Sequence, residues 1–335
     1  MTDRTNLVHR LQEMVGDALR IDEIGSGWPT LATLVIDETE VPISLFVSRI
    51  GLSHRGRDLI ERRFQNPGND TPLRGLPGRE SVLVGVLEDD GSIDLPRPIL
   101  AIADAARRDD GRTTRWSVFL QLESIVDAST SGWSTDITDS GEMIYYIDPA
   151  LLPVAITATM TGAVPADKSI YGAVASLNLR RPFDVYSAPD EAARVRRTVT
   201  SLVRDSRFSG DVLGAYDREC AMCGLGLGLV QGAHIYPASA PGSRDIVQNG
   251  VALCANHHLA FDRHFIAVHP GTLEIAFHPS VRERSFHEEA VANFVASTFD
   301  VMRSHDRGRS PDPQAFEMRY DHFADMYQWL DEVWG

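Results

Sequence analysis

The feature that most constrains this chain is a pair of metal-binding knuckles. Cys220-Ala221-Met222-Cys223 sets two thiols on a two-residue spacer, and some thirty residues later Cys254-Ala255-Asn256-His257 repeats the spacing with a His in last place. Such a spacer lets both donors reach one ion from a tight turn, and two knuckles together complete a Cys3His tetrahedron, the closed coordination of structural zinc. No position is left for substrate, so a zinc ion there would hold the fold and do no chemistry. All three cysteines of the chain fall in this segment, whereas buried free cysteines used as small apolar residues would scatter. The odd count, and the lack of a signal-peptide pattern in Met1-Thr2-Asp3-Arg4-Thr5-Asn6, argue against a secreted disulfide framework and lead us to expect a cytoplasmic protein.

Setting the zinc ligands aside leaves His234, Asn249 and His258, in that order. They stand in Ala233-His234-Ile235-Tyr236-Pro237, in Asn249-Gly250-Val251-Ala252-Leu253-Cys254 and in His257-His258-Leu259-Ala260-Phe261-Asp262. Through these motifs the stretch from Phe208 to Phe277 resembles the HNH endonuclease family, whose ββα-metal core carries a first His on a strand, an Asn in the following loop and a second His on a helix. Phosphodiester hydrolysis needs an activated water, a cation on the scissile phosphate and a stabilised leaving oxygen. The resemblance makes His234 the general base, a task suited to an imidazole near neutral pH. It makes Asn249 the residue that orients the base or holds the metal loop, with Gly250 beside it permitting a tight turn. His258 follows the zinc ligand His257 but lies about 100° further round a helix, and would bind a catalytic Mg²⁺ or Mn²⁺ ion.

One position departs from the family. Many HNH proteins carry Asp immediately before the first His, as a metal ligand, and here that residue is Ala233. Asp262, four residues after His258 and so on the same helical face, is the candidate replacement. It could equally serve at a helix C-terminus. Asp245, in Gly242-Ser243-Arg244-Asp245, is the weaker candidate. Hard divalent cations want such an oxygen.

A chain of 335 residues exceeds an HNH module and suits two domains. We expect an α+β protein: an N-terminal sensor-like domain of mixed helices and strands over 1–182, a zinc-stabilised ββα-metal HNH domain over 190–305, and a C-terminal helical extension over 306–335. An opening amphipathic helix carries Leu7, Leu11 and Val15, strands follow at Thr33–Ile36, Val41–Val47, Ser81–Leu87 and Pro98–Ala103, and a helix is expected over Arg57–Gln65. Glu288–Met302 reads as another helix, and the chain from Phe316 to Trp334 carries aromatics enough to dock a last one. No apolar run approaches about twenty residues, so no membrane span is expected.

The net charge of −15 argues against a protein that coats nucleic acid by bulk attraction. Local arginines, at positions 55, 57, 62 and 63, at 107, 108, 112 and 115, and at 194, 196 and 197, could still contact phosphates, with Phe64 as an aromatic contact. They could as easily be a solvated helix face with Phe64 in the core. An HNH module behind a separate β-containing domain resembles the layout of restriction enzymes, including modification-dependent ones. The expectation is therefore a metal-dependent endonuclease of double-stranded DNA in bacterial defence, with paired cuts favouring a homodimer. Two other classes stay open: a ligand-activated nuclease effector of anti-phage signalling, and a non-catalytic zinc-stabilised DNA-binding protein.

Overall fold

A computed structural model describes residues 3–36, 39–53, 61–66, 72–87, 95, 97–109, 116–163, 167–176, 189–304 and 310–334, with backbone alone at 167, 168, 176 and 189–196. The fold is α+β, in two compact units, Met1–Val203 and Arg204–Gly335.

The first unit opens with helix α1 (Asp3–Val15) and continues through strands β1 (Leu19–Glu23), β2 (Thr30–Ile36), β3 (Thr39–Arg49), β4 (Gly51–Leu52), β5 (Glu61–Gln65), β6 (Glu80–Val86), β7 (Leu100–Ala103) and β8 (Ser117–Gln121). Helix α2 (Leu122–Ser131), strands β9 (Trp133–Ile137) and β10 (Met143–Ile147), and helices α3 (Leu152–Thr161) and α4 (Asp167–Ser176) follow. Seven strands form one sheet in the order β1-β2-β3-β6-β7-β10-β9, antiparallel except for the parallel β3–β6 pair. Alternate residues feed two cores: Val82, Val84 and Val86 of β6 join a cluster with Leu7 and Leu11 of α1 and Ile156 of α3, while Leu83 joins Phe64, Leu120 and Ile125. Burial on both faces explains why these strands read as continuous apolar runs.

Residues Glu61–Gln65 form a strand in the small β4-β5-β8 sheet instead of closing the helix expected over Arg57–Gln65; residues 57–60 lie outside the described residues. Arg62 and Phe64 point inward and their neighbours do not, a period of two that a helix cannot satisfy. Phe64 is therefore core, fully buried against Gly85, where any Cβ would stand 2.6 Å from its ring. Arg62 is buried, Arg108 makes a two-pronged ion pair with Glu142 at 2.5 and 2.6 Å, and Arg107 donates to the Ser140 and Gly141 carbonyls. Arg62 and Arg108 are thereby taken up within the unit, whereas the Arg107 side chain stays about 45% exposed. Arg55, Arg57, Arg112 and Arg115 lie outside the described residues.

Helix α5 (Pro189–Ala215) runs through the division between the units. The second unit then folds as strands β11 (Val230–His234) and β12 (Gly250–Cys254), helix α6 (Ala255–Asp262), strands β13 (Ile266–Val268) and β14 (Ile275–Phe277), and helices α7 (Pro279–Ser285), α8 (Glu289–Ser297), α9 (Pro313–His322), α10 (Ala324–Tyr327) and α11 (Asp331–Trp334). Hairpin β11–β12 followed by α6 is the ββα arrangement. Helix α8 stops at Ser297, five residues short of the expected end at Met302. From Phe299 onward the backbone donates elsewhere: Phe299 N to Met222 O at 2.8 Å, Met302 N to Leu273 O at 2.8 Å and Arg303 N to Ala221 O at 2.9 Å. Those bonds outweigh the local helical preference. Among the described residues no helix is long and apolar enough to cross a membrane.

Candidate active site and metal centre

The first knuckle follows α5 after a sharp reversal, with Asp217 and Arg218 both at positive φ (52° and 59°) and Arg218 N bonded to Leu213 O at 2.8 Å. Gly224 (φ 74°) closes it by donating to Cys220 O at 2.8 Å, a backbone conformation that favours glycine. Cys254 ends β12 and stands at the N-cap of α6, so His257 falls in the first turn facing the same point. The ligand atoms of Cys220, Cys223, Cys254 and His257 all lie within 4.8 Å of one another. Cys223 Sγ is 3.9 Å from Cys254 Sγ, and His257 Nδ1 is 3.7 Å from Cys220 Sγ and 3.1 Å from Cys254 Sγ. A tetrahedral zinc ion implies edges of about 3.8 Å between sulfurs and about 3.6 Å from sulfur to nitrogen, so these four donors fit one ion.

The Cys220 thiol is held up by its hydrogen bond with Cys254 and by burial, while Cys254 is drawn down to about 3 by the Cys220 thiol and, beyond that, by His257. A zinc ion held by all four donors would take the three cysteines as thiolates and His257 as a neutral imidazole. His257 is aimed by a residue that the spacing does not reveal. Its Nε2 stands 2.9 Å from Thr298 Oγ1, which itself donates to Phe294 O at 2.8 Å. With its only hydrogen spent on Phe294, the hydroxyl accepts from Nε2–H, which leaves Nδ1 with the lone pair the metal needs.

His234 ends β11, paired with Gly250 on β12. Its ring stacks on Phe208 of α5, centroids 3.7 Å apart and planes 12° from parallel, and its Nε2 is 2.9 Å from Asp245 Oδ1. Helix α5 approaches that closely because two strand positions are glycine. A Cβ at Gly250 would stand 2.2 Å from Val212 Cγ2 and 3.0 Å from Phe208 Cζ, and one at Gly232 would stand 2.7 Å from Ser209 Cα. Gly250 is thus required by close packing and not by a turn, since its backbone is extended (φ −130°, ψ 151°). Asp205 of α5 belongs to the same neighbourhood: its carboxyl is raised by desolvation and then by the charge of Asp245, with His234 opposing.

Asn249 is buried, and its amide is fully engaged with the loop between His234 and Asp245. Oδ1 accepts from Tyr236 N at 2.8 Å, and Nδ2 donates to Tyr236 O at 3.1 Å, Arg244 O at 3.1 Å and Ser243 Oγ at 3.3 Å. It holds the loop that brings Asp245 to His234. Ala233 is buried and cannot supply a ligand. On α6, His258 Nε2 and Asp262 Oδ2 stand 3.5 Å apart, and His258 Nδ1 is 3.2 Å from Gln231 Oε1. The strand alternation of β11 puts Gln231 and His234 on opposite faces. Among the described residues the Cys3His set is the one group of three or more such ligands within 4.8 Å; His234 with Asp245, and His258 with Asp262, stand as two separate pairs.

Residues 220–269 match the family model described as HNH endonuclease. The match spans both knuckles, the hairpin, α6 and β13, and ends at His269, short of Thr298. No curated protein matches the chain in sequence. Among solved structures it is similar to a modification dependent TagI restriction endonuclease, at 11% identity over 83% of this chain and 81% of that one, with a TM-score of 0.34, too low to equate the folds.

Proposed function

We propose that this protein is a metal-dependent endonuclease that hydrolyses phosphodiester bonds of double-stranded DNA. The observation that carries the reading is the pairing of His234 with Asp245 inside an HNH module whose fold a Cys3His knot holds. If Nε2–H donates to the carboxylate, Nδ1 carries the lone pair and takes the proton from the attacking water. Asp245 then stabilises the imidazolium that forms, and Phe208 stacked beneath keeps the ring from turning. Asn249 acts through the loop and is a positioning residue. Zinc at Cys220, Cys223, Cys254 and His257 is structural. Mg²⁺ or Mn²⁺ held by His258 and Asp262 would supply Lewis-acid stabilisation of charge on the scissile phosphate. The finer reading, a modification-dependent restriction enzyme acting in the cytoplasm, as a homodimer where both strands are cut, rests on the two-unit layout.

The test incubates the protein with Mg²⁺ or Mn²⁺ and plasmids carrying or lacking modified bases. Cleavage by wild type and its loss in His234→Ala, by about 10²–10⁴-fold with zinc content unchanged, is expected. No cutting of any DNA refutes the nuclease reading. Equal cutting of both plasmids refutes modification dependence, and cutting only after a nucleotide is added identifies a ligand-activated effector. Salt-sensitive binding without cleavage identifies a DNA-binding module.

A further inference from the structure

Arg319, on α9 and outside the matched HNH segment, is a buried guanidinium with no carboxylate partner among the described residues. Its three nitrogens are spent on three places: NH1 donates to Ile235 O at 3.0 Å, NH2 to Phe261 O at 2.6 Å and Nε to Tyr327 Oη at 2.8 Å. Its Cζ lies 4.0 Å from the centroid of the Phe261 ring, and the Tyr327 hydroxyl is 3.0 Å from His264 Nδ1. The two carbonyls are informative. Ile235 follows the base His234 directly, and Phe261 precedes Asp262 at the end of the helix that carries His258. One planar, pre-organised fork therefore ties the strand end that bears the base to the helix that bears the cation pair. It also gives a cation to the α6 C-terminus through the Phe261 carbonyl.

A buried arginine need not do this to fill space. Leu or Met would pack on Phe261 without the desolvation cost of a charge. Building on the nuclease reading above, we propose that Arg319 is a positioning residue for DNA cleavage, fixing His234 relative to His258 and Asp262, and that the segment from Asp312 to Tyr327 is an integral part of the nuclease centre. Asp312 N bonds to Gln248 O at 2.8 Å, and the His322 ring meets Tyr236 edge-on at 5.7 Å, so the segment also reaches the loop that brings Asp245 to the base.

The test uses full-length, zinc-loaded protein on plasmid DNA with Mn²⁺. Arg319→Met is expected to keep its zinc and lose kcat by about tenfold or more with KM within about twofold, since about 1 Å of misplacement can cost about a hundredfold. Arg319→Lys, which keeps the charge but lacks the planar fork that spans the three acceptors, should recover part of the loss. A folded, zinc-loaded Arg319→Met at wild-type kcat, or a loss confined to KM, overturns the proposal. Should that variant not fold, Arg319→Lys and Tyr327→Phe decide: reduced kcat in both supports it, wild-type kcat in both overturns it. If wild type itself cuts no DNA, the nuclease reading fails separately and the clamp is read by NMR of ¹³C-labelled histidine. Ring signals of His234 and His258 moving together in Arg319→Lys, with His9 of the first unit unmoved, support the clamp; unmoved His234 and His258 signals overturn it.

Discussion

Stripping the metal from the Cys3His knot should unfold the second unit and spare the first. The knot ties three separate pieces of chain: the 220–223 knuckle, the β12–α6 junction through Cys254 and His257, and the end of α8 through Thr298. The stretch after α8 adds two backbone bonds onto the knuckle, Phe299 N to Met222 O and Arg303 N to Ala221 O. A structural zinc ion contributes an apparent ~10–16 kcal/mol near neutral pH. A folded domain of this size is stable by only ~5–15 kcal/mol in total. Losing the ion removes as much as the whole margin. Among the described residues the hydrophobic clusters of the first unit contain no residue beyond Val203 and none of the four zinc ligands.

The assay combines zinc quantification with thermal unfolding and amide hydrogen exchange, before and after chelation under reducing conditions. Holoprotein should carry one zinc per chain. Chelation should abolish protection of the β11–β12 hairpin, residues 230–234 and 250–254, while β6, residues 82–86, keeps its own. Restoring one equivalent of Zn²⁺ should restore the hairpin. Acid should mimic the chelator, because thiolates and a neutral imidazole are the binding forms and protons compete for them. A protein with less than about a tenth of its zinc and undiminished hairpin protection would refute the reasoning, since the ion's ~10–16 kcal/mol would then not be holding this fold.

Three further outcomes follow from single contacts. Gly250→Ala puts a Cβ 2.2 Å from Val212 Cγ2, and such overpacking should cost about 1–3 kcal/mol in denaturant unfolding of the second unit; Val212→Ala in the same chain should return part of that, and an unchanged midpoint in the single variant would contradict the packing account. Thr298→Val leaves Nε2–H of His257 without its acceptor and should weaken zinc binding about 10–100-fold in competition with a chelating dye, with Thr298→Ser close to wild type. Asp245→Asn keeps the shape beside His234 and removes the charge, so kcat for DNA cleavage should fall by about tenfold or more at unchanged zinc content; an active Asp245→Asn would remove Asp245 from the mechanism.

The parts of the site that the sequence exposes are those whose geometry is local. A Cys-x-x-Cys knuckle is built from its own backbone, so spacing alone places two thiols around one point, and the i,i+4 relation of His258 and Asp262 is likewise a property of one helix turn. Apolar runs identified β6 and β7 for a related reason, since burial on both faces leaves a mark on every residue. Glu61–Gln65 misled because five residues with two arginines carry little periodic signal, and its inward Arg62 and Phe64 make sense only once β8 lies alongside. What spacing could not supply are partners set by tertiary approach: Thr298 lies 41 residues from the ring it orients, and Arg319 lies 84 residues from the Ile235 carbonyl it holds. Nothing periodic links such positions. A signal did exist at Gly250, where the residue type was informative although the turn inferred from it was not. In an extended strand a glycine reports close approach by another element, and here that element is α5, which brings Phe208 against the imidazole of His234. The same argument extends to Gly232: two glycines on one hairpin, both opposed to α5, mean that the helix before the first knuckle is as much a wall of the site as α6 behind it.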